Sequence, residues 1–256
     1  MSEQYRQFSM EYAAHQSERK AQYEKELAAF FDNSMGTTLD KLNNFTKFVT
    51  KQSLCRFLAK NEIFQHIKHV HGHMIECGVF LGGGLSTWAH LSSIYDPYHY
   101  MQKVIGFDTF EGFADIADED GDPSMLEFKK EGGLHCDSYE ELQEFARLYQ
   151  HTRPLPQFPN IELVKGDACQ TIPQYVEDNK HLVVSLLYLD FDVYEPTKIA
   201  IEQIAPRMPK GAVIAFDELN QKEWPGETMA VLETLGLNNL EIRRTQFSSA
   251  ISYAVL

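Results

Sequence analysis

The chain has 256 residues, of which 43% are hydrophobic and 23% charged. These are ordinary globular values that exclude wholesale disorder and fit one domain with an added segment. Its 23 Lys+Arg against 37 Asp+Glu leave a net charge of −14, which repels phosphate backbones and argues against a non-specific nucleic-acid binder. No apolar run reaches the roughly 18 residues of a membrane span. The polar start MSEQYRQFSMEYAAHQSERK lacks the apolar core of a signal peptide, and Cys55, Cys77, Cys136 and Cys169 form no CxxC, so a cytoplasmic protein with reduced thiols is expected.

Residues 3–31 contain no Pro or Gly and read as a helix stopped by DNSMG at 32–36. A second helical region runs from about 38 to 70, where Phe45, Phe48, Val49, Leu54, Phe57, Leu58, Ile63, Phe64 and Ile67 recur at three-to-four spacing. Residues 1–70 therefore read as a helical N-terminal extension, and 71–256 as the main domain. There the pattern alternates: strand 74–80, helix 85–95, strand 103–110, a long acidic loop 111–137, helix 138–150, strand 160–167 and helix 170–178. It continues with the very apolar strand 181–192, helix 195–205, strand 211–219, helix 226–235 and two short strands at 240–244 and 250–255. Such alternation predicts an α/β fold of Rossmann type, a mostly parallel seven-stranded sheet with helices on both faces. Ligands of such sheets sit beyond the carboxyl ends of the strands. Those ends carry Glu76, Asp108, Asp167, Asp190, Asp192, Asp217 and Glu218.

Each strand end admits a chemical reading. In ECGVFLGGGLS at 76–86, the glycines let backbone approach a ligand at a helix N-terminus, but the spacing is not GxGxxG. Glu76 can accept from a cationic amine and would repel a pyrophosphate. Asp108, in FDTFEGF, stands where an acid commonly binds ribose hydroxyls, or it caps a loop. Asp167, in KGDA, could accept from an adenine amino group or cap the following helix. Asp190 and Asp192 fall on one side of an extended segment, and Asp217 and Glu218 end the next strand. Three or four converging carboxylates repel one another unless a cation sits among them, and hard oxygen donors suit Mg²⁺ or Ca²⁺. The loop 111–137 is long enough to be a lid. Trp224, in WPGET, could wall an acceptor site or simply pack, and His135 could reach an acceptor.

The segments ECGV…GGGLS, FDTFEGF, KGDA, YLDFDVYEPT and AFDELN…WPGET resemble the macrocin O-methyltransferase family, over roughly residues 45–256. Its members are class I, S-adenosylmethionine-dependent, Mg²⁺-dependent enzymes that methylate sugar hydroxyls of antibiotics and related natural products. The resemblance implies that Glu76, Gly78 and Ser86 hold the methionine part of the cofactor. Asp108 would bind the ribose with Phe110 and Glu111 beside it, and Asp167 and Ala168 would face the adenine. Asp190, Asp217 and Glu218 would ligate Mg²⁺, and Asp192 would be the general base. It further implies a small-molecule glycosylated acceptor, no nucleic-acid or membrane partner, and a homo-oligomer, in the first instance a dimer. The rivals are a catechol- or phenol-type Mg²⁺-dependent O-methyltransferase and a nicotinamide-dependent oxidoreductase. Against the second stand Glu76 and the missing GxGxxG.

Overall fold

The structure, a computed structural model, describes residues 18–256. The chain divides into two compact units, Met1–Arg56 and Phe57–Leu256. In the first unit, helix α1 (Glu18–Asn33) ends before Gly36, whose φ of +101° turns the chain back. Thr37 and Asp40 then form a reciprocal capping box that starts helix α2 (Thr38–Asn43). The rings of Phe30 and Phe31 meet Phe48 at 5.6 and 5.0 Å. The helix expected over 3–31 is thus seen from residue 18, its earlier part lying outside the described residues.

The helical region expected over 38–70 is three pieces: α2, a short 3-10 turn at Phe45–Lys47, and helix α3 (Lys51–Ile67). The Thr50 hydroxyl accepts from the Ser53 amide at 3.0 Å and so restarts the helix. Residues 57–67, grouped with the extension by their periodicity, belong to the second compact unit. Ala59, Ile63, Phe64 and Ile67 are at most 2% exposed and join the core on one face of the sheet. Ile63→Ala is expected to lower the unfolding free energy by roughly 2–5 kcal/mol. Urea unfolding would check this, and a loss below about 1 kcal/mol would show that α3 does not pack as a core helix.

The second unit is built on seven strands in the order β3-β2-β1-β4-β5-β7-β6. Strands β1 (His73–Cys77), β2 (Val104–Asp108), β3 (Ile161–Lys165), β4 (Val184–Leu189) and β5 (Val213–Phe216) run parallel. Strand β7 (Ser252–Val255) returns antiparallel between β5 and the two-residue β6 (Arg243–Arg244). Helix α4 (Gly83–Tyr95) follows β1, and α5 (Tyr139–Gln150) follows the long loop after β2. Helices α6 (Ala168–Asp178), α7 (Tyr194–Ile204) and α8 (Gly226–Thr234) follow β3, β4 and β5.

The period-two pattern of each strand divides its side chains between two cores. Met74, Leu186, Tyr188, Val213 and Ala215 face α3 and α4, whereas Ile75, Leu187, Leu189, Ile214 and Phe216 face α6, α7 and α8. β4 lies in mid-sheet between β1 and β5 with all six residues buried, which explains its unbroken apolar run. The strands stop earlier than their apolar sequences do. β1 ends at Cys77 because Gly78 leaves the extended region, and β4 ends at Leu189 before the two aspartates. The connection from β1 crosses to β2 on one side, and β4 pairs on the other. Between them lies the topological switch point, where sheets of this kind bind ligands.

Candidate active site

The glycine turn after β1 is dictated by close backbone packing. Gly78 has φ +91°, and a Cβ there would overlap the carbonyl oxygen of Asp190 at the end of β4. Asp190 in turn donates its amide to the Cys77 carbonyl at 2.8 Å. A Cβ on Gly84, in the first turn of α4, would occupy the position of a Glu76 carboxylate oxygen. Glu76 is 1% exposed, tucked beneath the turn, with the Lys60 ammonium 3.9 Å from its Oε1.

Asp108 ties this turn to β2. Its Oδ2 accepts from the amides of Val79 and Phe80 at 2.7 and 2.8 Å, and its Oδ1 accepts from the Phe110 amide at 2.7 Å. An ionised carboxylate offers about four lone-pair sites. Asp108 therefore holds the glycine turn against the end of β2 and retains a lone pair beyond these three bonds. Phe80 and Phe110 both have positive φ, +50° and +57°, conformations that bulky side chains adopt only where surrounding bonds force them.

Beyond the ends of β4 and β5, one ligand atom each from Asp190, Asp192 and Glu218 lies within 4.8 Å of the others. Burial, then the charges of Asp192, Asp217, Asp190 and Glu227, push the Glu218 carboxyl well above the usual glutamate range. Glu227, the second residue of α8, is buried behind it and shifted the same way, mainly by burial and the charges of Asp217 and Asp190. Its Oε1 accepts from the Glu218 amide at 3.1 Å. The Oε2 atoms of Glu218 and Glu227 are buried without a hydrogen-bond partner among the described residues. Asp192 has φ +65°, which turns its carboxylate back toward Asp190 after the strand ends. Asp217 is outside this trio. It is 3% exposed, and its Oδ1 accepts from the Tyr188 hydroxyl.

Comparison with known proteins decides the family. The family model for macrocin-O-methyltransferase (TylF) matches residues 5–233. The chain belongs to the macrocin O-methyltransferase family. It is accordingly an S-adenosylmethionine-dependent O-methyltransferase. Among solved structures, a calicheamicin methyltransferase, CalS11, is 31% identical, with a TM-score of 0.89 and 94% of each chain covered. The apo form of CalS11, described as a TDP-rhamnose 3′-O-methyltransferase, is 30% identical over 94% of this chain and 96% of that one, with a TM-score of 0.81. The O-methyltransferase NovP shares the fold at 20% identity, with a TM-score of 0.60 over 78% of this chain and 79% of its own. No curated protein sequence matches the chain.

In this methyltransferase the other residues singled out from sequence occupy distinct settings. Asp167 is the N-cap of α6, its Oδ1 accepting from the Cys169 amide at 2.9 Å. Ala168, 4% exposed, packs into the core below it. Phe110 is buried against the Tyr139 ring at 5.2 Å. The Glu111 side chain is exposed and pairs with Lys165 at 3.3 Å. The Ser86 hydroxyl turns back to the Gly83 carbonyl at 3.2 Å within α4.

The loop 111–137 is not a free flap. Asp120, 1% exposed, accepts from the amides of Ala117 at 2.9 Å and Tyr194 at 2.7 Å, capping α7 from outside. Lys129 donates to the carbonyls of Asp120 and Glu223 and lies 4.8 Å from the centre of the Trp224 ring. Trp224 packs with Phe113 and Phe128, so its place is in a small core beneath the loop. Sequence reasoning missed Asp120, Lys129, Tyr188, Glu227 and Lys60. A single buried charge in a loop or helix leaves no periodic or spacing signal, and Tyr188 is hidden within the apolar run of β4.

Among the described residues no helix is long and apolar enough to cross a membrane.

Proposed function

We propose that the enzyme methylates a hydroxyl of a sugar, carried by a nucleotide or a natural product, with a divalent cation held at the acidic trio. The observation that carries this reading is the convergence of Asp190, Asp192 and Glu218 beside the glycine turn. Three carboxylates with ligand atoms inside 4.8 Å are a hard oxygen donor set, and the unpartnered Glu218 Oε2 adds a buried acceptor. That chemistry suits Mg²⁺. A cation bound there would offset the mutual repulsion of the acids and make a nearby alcohol more acidic. S-adenosylmethionine supplies the electrophilic methyl group.

The chain's own residues do the rest. Gly78 and the turn capped by Asp108 would accept the methionine and ribose parts of the cofactor, with Asp167 at the adenine end. Asp190 and Glu218 would hold the cation. Asp192 takes the proton of the acceptor hydroxyl on a carboxylate oxygen. Holding the hydroxyl in line with the methyl group supplies several kcal/mol through alignment alone. The likeness to a TDP-rhamnose methyltransferase supports a nucleotide-linked deoxysugar as the acceptor.

The test is to offer S-adenosylmethionine and Mg²⁺ with TDP-rhamnose, with a glycosylated macrolide and with a catechol, and to weigh the products. Methylation of a sugar acceptor supports the reading. Methylation of the catechol with neither sugar modified overturns it.

The trio also sets a pH dependence. The Glu218 and Glu227 carboxyls hold their protons more tightly in the folded than in the unfolded chain. Their contribution is therefore fully present below the ordinary glutamate pKa of about 4.3 and is lost as pH rises toward the raised folded values. Mg²⁺ is expected to raise Tm more at about pH 8 than at about pH 5, because protons compete for the same oxygens at the lower pH. Thermal unfolding with and without Mg²⁺ measures this. An equal gain at both pH values would argue against a cation at these carboxylates.

A further inference from the structure

Lys60 sits on α3, eighteen residues before Gly78, and its side chain is 4% exposed. A lysine this buried needs a partner for its charge. Its ammonium lies 3.9 Å from Glu76 Oε1 and 3.5 Å from the centre of the Tyr188 ring, with the Trp88 ring at 5.2 Å. Tyr188 is fully buried, and its hydroxyl donates to Asp217 Oδ1. One cation thus touches the acid at the end of β1 directly, and through the Tyr188 ring it faces the acid at the end of β5. A cation on the face of a phenol ring is attracted to it. The Glu76 carboxylate fills the space that a Cβ on Gly84 would take, under the first turn of α4.

We propose that Lys60 is a positioning residue for the methionine end of the cofactor. It fixes the Glu76 carboxylate beneath the glycine turn, and it reaches the site from a helix that sequence periodicity assigns to the N-terminal extension. The inference rests on the proposed placement of the cofactor at that turn. It predicts that removing Lys60 weakens ligands carrying the amino-acid group and spares those lacking it.

The experiment is calorimetric titration of the full chain with S-adenosylhomocysteine and with 5′-methylthioadenosine, which keeps the adenosine and thioether but has no amino-acid end. Wild type, Lys60→Met, Glu76→Gln and the double variant are compared. Lys60→Met is expected to weaken S-adenosylhomocysteine by about tenfold or more and 5′-methylthioadenosine by less than about twofold. The double variant should lose no more than the weaker-binding single variant, since both act through one carboxylate. Lys60→Met binding S-adenosylhomocysteine as tightly as wild type overturns the proposal. So do equal losses for both ligands, or losses that multiply in the double variant. If Lys60→Met alone fails to fold, the charge-balanced double variant carries the test against Glu76→Gln: matching affinities support the proposal, and a further loss overturns it. Wild type that does not bind S-adenosylhomocysteine would instead overturn the placement of the cofactor at the turn.

Discussion

Gly78→Ala is expected to abolish binding of S-adenosylhomocysteine and to lower thermal stability markedly. Two independent costs meet at this position. The backbone has φ +91°, a region that a side chain makes unfavourable by roughly 1–2 kcal/mol or more. The added methyl group would also overlap the carbonyl oxygen of Asp190, which is backbone and cannot swing aside as a side-chain tip could. Relief requires β1 and β4 to separate where the Asp190 amide is bonded to Cys77. That movement would drag Asp190 away from Asp192 and Glu218, so one methyl group damages the glycine turn and the acidic trio together. Titration calorimetry and thermal unfolding of the purified variant check this. Near-wild-type affinity would mean that the turn does not set the spacing of the two strand ends. By contrast, Gly83 has no protein atom near its Cβ position, so Gly83→Ala serves as the folding control and should keep the thermal stability of wild type.

Asp192→Asn is expected to lower turnover by about 10²–10⁴-fold if Asp192 is the proton acceptor. Asparagine is the right replacement for a physical reason. Asp192 has φ +65°, and asparagine tolerates that left-handed conformation better than alanine does, so backbone strain is not added to the chemical loss. The variant also separates two roles that the geometry brings together, because Asp192 lies in the same trio as Asp190 and Glu218. If Asp192 acts only as the base, Mg²⁺ should raise Tm in the variant as much as in wild type while turnover falls. If it is mainly a cation ligand, the Mg²⁺ response should shrink in step with turnover, and high Mg²⁺ should recover activity. Full activity at ordinary Mg²⁺ would remove it from the mechanism.

The carboxylates at the strand ends were legible in the sequence because α/β alternation fixes where a parallel strand stops. An acid at that point therefore lies near the crevice, though which way its side chain turns is set by packing. Glu76, Asp108, Asp190 and Glu218 were found this way. The same logic could not say which oxygen does what. Asp108 uses both of its oxygens to hold the turn, and Asp167 caps α6. Asp217 and Glu218 are adjacent in sequence and part company, because successive residues leaving a strand point to opposite sides. Glu218 joins Asp190 and Asp192, whereas Asp217 is met by the Tyr188 hydroxyl.

The sequence by itself determined the alternating strands and helices, the buried centre of the sheet and the family to which the chain belongs, because these rest on periodicity and on contiguous motifs. Only the tertiary structure decided that residues 57–67 belong with the sheet, that Lys60 lies against Glu76, and that Asp120 and Lys129 pin the long loop. Helical periodicity marks an apolar face without naming what it packs against. A buried charge is identified by its partner, and here the partners are distant in sequence: sixteen residues from Lys60 to Glu76, and seventy-four from Asp120 to Tyr194. Contacts of that range are set by how the chain closes on itself, which no local window records.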